Sequence, residues 1–189
     1  MRELTGWLTV LALLAAAGCG GCTDATVDTE AGSPAPDVVA AAEAGVRPLF
    51  TIGRSTNANV VHYDARLTPE GELNPEQPVV AYWIMSADDG HREGLTWLER
   101  KKAYGFDVEP APSGEGYLMT LVSVPDREIT VMKKAGTVRA ELVIGGSRSV
   151  LEKVYIQSSA GWLGPDVQYV ELFGKDLETG AERVEKIMP

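Results

Sequence analysis

The chain has 189 residues and a mass of 20.2 kDa, room for one domain with a sizeable core but hardly for two. Hydrophobic residues at 44% and charged residues at 23% lie near the globular average, which excludes a wholly disordered, collagen-like or multi-span membrane protein. With 17 Lys and Arg against 27 Asp and Glu the formal charge is -10, which argues against a non-specific grip on nucleic acid, and two Cys with two His leave little material for a zinc site or a disulfide scaffold.

Behind Arg2, residues 4–17 are mostly apolar. That is a stretch of about 14 residues against the roughly 20 that a spanning helix needs, and it reads as the hydrophobic region of a signal peptide. Glu3 cancels Arg2, so the reading rests on the length of the stretch, its position and the small residues and cysteine at its end. Leu14-Ala15-Ala16-Ala17-Gly18-Cys19 resembles the lipobox of bacterial lipoproteins, in which small residues let a peptidase reach the bond before a diacylglyceryl cysteine. Ala16 stands where that pattern prefers Leu. The resemblance implies that residues 1–18 are removed and that Cys19 becomes the lipidated first residue, since two or three acyl chains hold a protein to a bilayer where one does not. Ordinary secretion with cleavage after Ala17 is the alternative. Gly20 after Cys19, rather than Asp, implies by the same resemblance an outer-membrane lipoprotein facing the periplasm where the organism has two membranes. Cys22 completes a Cys-x-x-Cys, but no strand-helix unit or neighbouring His supports a redox or metal role.

Residues 19–46 are expected to form a disordered acidic tether. From Thr23 to Val46 the sequence is Ala, Gly, Pro, Thr and acid, with Asp24, Asp28, Glu30, Asp37 and Glu43 and no basic residue. The remainder, 47–189, holds roughly 140 residues, near the commonest single-domain size. It has no cysteine, so packing and hydrogen bonds must hold it together.

Short β-branched and aromatic runs punctuated by Gly, Pro, Asn and Asp predict a mainly β, antiparallel domain of about ten strands. The candidate strands are 48–54, 59–67, 79–87, 104–109, 116–124, 128–134, 137–144, 149–158, 167–175 and 183–187. Val138, Ala140, Leu142 and Ile144 alternate with Arg139, Glu141 and Val143, as in a strand with one face in a core. Val61, Tyr63, Ala65 and Leu67 alternate with His62, Asp64 and Arg66 in the same way. The run 79–85 is apolar on both faces and predicts a central strand. One short helix is predicted after it: Thr96 and Glu99 make a capping box, Leu95, Leu98 and Ala103 share a face, and Gly105 offers a C-terminal cap. Gly145-Gly146 reads as a hairpin turn. A barrel-like form and a two-sheet sandwich both fit, the single helix favouring the barrel.

Three places carry candidate chemistry. Asn57, Ala58 and Asn59 read as a hairpin turn, or, with Arg54, as guanidinium and amide groups aimed at a carboxylate, phosphate or sugar oxygen. Asp88-Asp89-Gly90-His91-Arg92-Glu93 reads as a solvated turn and lacks the alternating acids of a Ca²⁺ loop. His62 shares a strand face with Asp64, half of a hydrolytic triad, but no Gly-x-Ser-x-Gly elbow accompanies it. Trp83, Trp97 and Trp162 are expected in core or rim packing, or stacked on a flat ligand.

Residues 49–67, Val79-Val80-Ala81-Tyr82-Trp83-Ile84-Met85 and Trp97 to Phe106 together resemble the bacterial domain of unknown function 4833, the Arg-Ser-x-Asn-x-Asn run being the most specific part. The resemblance spans most of 49–173 and implies a single envelope domain behind an export signal. It implies no substrate, cofactor or catalytic residue. The reading is therefore a lipid-anchored envelope protein whose β domain binds a small or extended ligand. Arg54, Asn57, Asn59, Tyr82, Trp83, Glu99 and Lys102 are the candidate ligand-binding residues. The membrane is its partner through Cys19, with no cofactor, metal or nucleic acid expected. The alternatives are an envelope hydrolase or transferase using His62 or His91 with nearby carboxylates, and an assembly factor meeting a protein partner.

Overall fold

The computed structural model describes residues 45–161 and 164–188, so the expected signal peptide, Cys19, nearly all of the expected tether and Trp162 lie outside the described residues. Among the described residues, eleven strands and one short helix succeed one another. They are β1 (Val46–Arg54), β2 (Asn57–Arg66), β3 (Val79–Ile84), β4 (Arg92–Gly94) and α1 (Trp97–Glu99), which continues as a π-helical turn (Arg100–Tyr104). Then come β5 (Phe106–Pro110), β6 (Tyr117–Leu121), β7 (Val124–Lys134), β8 (Thr137–Ile144), β9 (Ser147–Gly161), β10 (Gly164–Asp176) and β11 (Glu182–Ile187). All eleven strands belong to one sheet, curled into a half-barrel. Nearly all pairings are antiparallel, as expected; β1 against β9 is parallel.

β9 organises the sheet. Along one edge it pairs with β10 from Ser149 to Gly161. The opposite edge is shared: Ser147 to Val150 carry β8, and Lys153 to Ile156 carry β1. Two wings therefore leave the same edge, β1-β2-β3-β4 and β8-β7-β6-β5.

The alternations dictate what each wing buries. Val61, Tyr63 and Ala65 of β2, and Val138, Ala140, Leu142 and Ile144 of β8, turn inward as their period-2 pattern requires. Where the inner faces meet, Phe50 and Tyr63 stack with centroids 4.6 Å apart, and Phe106 meets Tyr63 edge-on at 5.8 Å. Each fully buried aliphatic or aromatic side chain contributes about 1.5–3 kcal/mol, so this shared core outweighs any surface ion pair. Tyr63 also donates its hydroxyl to Tyr104 O at 2.7 Å, and burial pushes that hydroxyl's pKa up.

Turn chemistry fixes the register of the second wing. Ala135-Gly136 and Gly145-Gly146 have positive φ at both positions, the type I′ geometry whose twist suits tight hairpins. Asp176 closes the β10–β11 turn by accepting the N–H groups of Glu178 and Thr179 and the Arg183 guanidinium. Those donors hold its carboxyl well below the usual range.

The structure departs from the sequence reading at five points. The β1–β2 turn is Ser55-Thr56, and the two asparagines lie inside β2, where Gly53 pairs Val60 but Arg54 pairs Asn57. That register shift makes Ala58 and Asn59 a bulge rather than a turn. β3 is not central: only the three-residue β4 lies beyond it. β4 itself falls where the sequence predicts loop, because Arg92, Glu93 and Gly94 are all exposed and show no alternation. Trp97 and Leu98 are 72% and 57% exposed, so the helix does not bury them. Gly105 has φ -72°, so it is not a left-handed cap. A Cβ there would sit 1.9 Å from Arg100 O, so its glycine is required by close approach.

Candidate functional site

Four of the seven candidate residues meet at the docking point of the helix. The Arg54 guanidinium lies 4.7 Å above the Trp83 ring, and its Nε donates to Asn57 Oδ1 at 3.1 Å. Trp83, almost fully buried, donates Nε1 to Glu99 Oε1 at 3.0 Å and meets Tyr104 edge-on at 4.9 Å. The other Glu99 oxygen accepts the Thr96 N–H and hydroxyl, both at 2.8 Å, while Thr96 Oγ1 accepts the Glu99 N–H. The expected capping box is thus present, and its carboxylate also clamps the indole.

The other three lie elsewhere. Asn59 is buried; its Oδ1 accepts the Ala87 N–H at 2.8 Å and its Nδ2 donates to Met85 Sδ at 3.4 Å, which ties the loop after β3 to the bulge. Lys102 is exposed on the π turn. Tyr82 alternates with Trp83 and so faces the outer side of the sheet, where its hydroxyl donates to Asp64.

On that outer face His62 stacks on Tyr82 at 5.7 Å, and the Arg92 guanidinium covers the Tyr82 ring at 3.5 Å. Burial lowers the His62 pKa below its usual 6.5; the Asp64 carboxylate opposes this and Arg92 adds to it. A depressed histidine pKa means that the unfolded chain binds the proton more readily. Its stabilising contribution is therefore present above pH 6.5 and is lost as pH falls through the folded-state value. His91 behaves oppositely: it is exposed, and its contact with Asp89 raises its pKa. Since the chain has two histidines, proton NMR is expected to show one imidazole titrating below 6.5 and one above. Two midpoints above 6.5 would refute the burial of His62.

An opening beside these groups lies between the ends of the two wings. β4 pairs β3 over Tyr82 to Ile84, so among the described residues no strand lies beside Val79 to Ala81 on the side turned from β2. β5, the last strand of the other wing, pairs with β6 on one edge. Between these edges is a cavity of about 790 Å³, within the usual range for ligand pockets. Its walls include Val79, Val80, Ala81 and Tyr82 from β3, and Gly105, Phe106 and Asp107 at β5. Among the described residues, four cations line it, Arg66, Arg92, Arg100 and Lys101, against one carboxylate, that of Asp107. Arg66 is steadied by Gln77 and Lys101 lies 5.1 Å from the Trp97 ring.

A second cavity, of about 1010 Å³, lies by the β7–β8 turn. Several of its charges are paired: Lys133 with Glu72 at 2.7 Å, and buried Glu141 with Arg148 of the lining and with neighbouring Arg139. Among the described residues, no three His, Cys, Asp or Glu side chains gather as metal ligands.

The site residues that sequence reading missed are Arg66, Arg92, Arg100 and Lys101. They come from three separate stretches, Arg66, Arg92 and the adjacent Arg100-Lys101, with no shared motif, and a cationic count in an acidic protein carries no signal of them. No curated protein and no solved structure matches the chain. Residues 50–186, nearly the whole folded part and including β2 to β5 beside the cationic seam, match the model of one family, and the chain belongs to it: the Domain of unknown function (DUF4833) family.

Proposed function

We propose that this protein is a lipid-anchored envelope domain that binds an anionic ligand, through carboxylate or phosphate groups, in the seam between its two wings. The observation that carries the reading is the concentration of Arg66, Arg92, Arg100 and Lys101 opposite Asp107 in an opening of about 790 Å³, in a chain whose formal charge is -10. Such a local inversion of sign focuses an anion into the seam and is screened by salt. Guanidinium groups suit carboxylate and phosphate because their planar fork matches two oxygens at once. Tyr82 is the residue shared with the sequence-based candidates; Arg54, Asn57, Trp83 and Glu99 support the reading indirectly, by fixing the helix that carries Arg100 and Lys101. Binding is favoured over catalysis because neither histidine lines the seam, and the His62 partner Asp64 is engaged by Tyr82. Cys19 supplies the anchor, which places the seam at the envelope.

Calorimetry on the full chain at low salt, with citrate, pyrophosphate and hexaglutamate as probes, tests the reading. At least one is expected to bind saturably, at least ten-fold more weakly in the Arg66→Gln/Arg100→Gln variant with an unchanged melting temperature, and more weakly in 0.5 M salt. Absence of saturable binding by all three, or binding indifferent to the two substitutions, would overturn it.

A further inference from the structure

Separately from the anionic-ligand reading, and resting on the lipid anchor only for the nearness of a bilayer, we infer that the outward side of the helix is a membrane contact. Trp97 and Leu98 with Arg100, Lys101 and Lys102 seat the folded domain on an anionic phospholipid surface. The inward side of the helix is spent on the protein: Leu95 and Tyr104 are buried, and Glu99 holds the Trp83 indole and closes the capping box. Trp97 and Leu98 are left outside, adjacent and mostly exposed, with none of the described residues covering them. The Lys101 ammonium lies 5.1 Å from the Trp97 ring, and Arg100 and Lys102 are exposed beside it. An indole flanked by cations suits the lipid interface, where the ring sits at headgroup depth and the charges reach the phosphates.

Three observations favour a bilayer over a protein partner. First, the apolar area is small. Two adjacent side chains fall far short of the roughly 800 Å² per partner that a standard protein interface buries. At a membrane they suffice, because there a little buried apolar area adds to attraction for anionic lipid. Second, the charge is complementary. Glu99, the one acid between Trp97 and Phe106, is turned inward, so the outward charges of that stretch are three cations; the next acid, Asp107, lines the seam. An anionic surface that repels a chain of formal charge -10 is thereby approached by this corner first. Third, the described chain enters at the same corner. Val46 lines the seam together with Arg100, Lys101 and exposed Val122, and the Val122 N–H donates to Gly105 O at 3.0 Å, holding the β6–β7 turn against the end of the helix. An anchor at Cys19 would draw the start of β1 and this corner toward the bilayer together. The second contact is then intramolecular, so even a weak one is populated.

The test uses the full chain carrying Cys19→Ser, so that no acyl chain contributes, with 5-fluorotryptophan in place of its four tryptophans. Trp97→Phe and Trp83→Phe assign those two fluorine signals. In bicelles of phosphatidylcholine with about a third phosphatidylglycerol and a spin-labelled lipid, the Trp97 signal is expected to broaden at least three-fold more than that of buried Trp83. The excess is expected to fall at least two-fold in phosphatidylcholine alone. It should fall as far in Lys101→Gln/Lys102→Gln, whose melting temperature stays unchanged because both side chains are exposed. Trp97 broadened no more than Trp83, or broadened equally in both lipids and in the variant, would overturn the contact. A Trp97 signal that shifts with protein concentration in lipid-free buffer overturns it as well, since a second copy then covers this face. Neither result touches the anionic-ligand reading, which calorimetry tests without lipid, or the anchor, which the mass of the wild-type Cys19 reads.

Discussion

Replacing Trp83 with alanine is expected to lower the unfolding free energy by about 3–5 kcal/mol, the range for deleting a buried large aromatic. Three contributions add at this side chain. Its ring is 4% exposed and fills the space between the first wing and the helix. Its indole packs edge-on to Tyr104 at 4.9 Å, a geometry worth roughly 0.5–1.5 kcal/mol beyond burial. Its N–H satisfies Glu99, and the Arg54 guanidinium rests on its face. Trp83→Phe retains most of the volume and loses the hydrogen bond, so it should cost less, on the order of 1–2 kcal/mol. Urea unfolding of the two variants reads this order directly. A Trp83→Ala loss below about 1 kcal/mol would show that the helix is not held through this indole.

Gly105→Ala should be nearly as damaging, at or above the top of the roughly 1–3 kcal/mol range for forced overpacking. The backbone there is ordinary for any residue, with φ -72° and ψ 165°, so conformational strain is not the reason. The added methyl would lie 1.9 Å from Arg100 O and 2.7 Å from its carbonyl carbon, and backbone atoms have no rotamer by which to retreat. The π turn would have to shift, and with it Arg100, Lys101 and the entry into β5. Gly136→Ala is the control: φ is +80° but nothing lies within 4 Å of the new Cβ, so only the backbone penalty of about 1–2 kcal/mol applies. Thermal melts that rank Gly136→Ala as the more harmful would contradict the close approach at Gly105.

Much of this architecture is written locally. The alternation in β2 and β8 announces both strand type and inward face, and the Thr96–Glu99 pair marks a helix start, because each signal depends on residues within a few positions of one another. β4 escapes such a reading because Arg92, Glu93 and Gly94 form a strand through their backbone pairing to β3 while their side chains all stay wet. Trp97 and Leu98 mislead because apolar identity predicts burial only when a neighbour arrives to cover it, and none of the described residues does so for them. Asn57 and Asn59 carry turn-forming chemistry, but the shorter Ser55-Thr56 link leaves them to serve as strand and bulge. The seam is the least legible part. It exists only because two strand edges distant in sequence end near one another, and its cations come from β2, β4 and the helix with no periodic relation among them.

The forked edge of β9 also bears on how the chain reaches this state. β5 through β10 succeed one another as near neighbours, so their pairings close only short stretches of chain. β1 instead meets β9 in parallel, joining Thr51 to Lys153 and Arg54 to Ile156. That contact encloses about a hundred residues, and by the logarithmic law of chain closure its entropic penalty exceeds that of a tight hairpin by on the order of 3 kcal/mol. The meander thus forms a local template, whereas the β1–β4 arm depends on a long-range docking event that raises the contact order and slows folding.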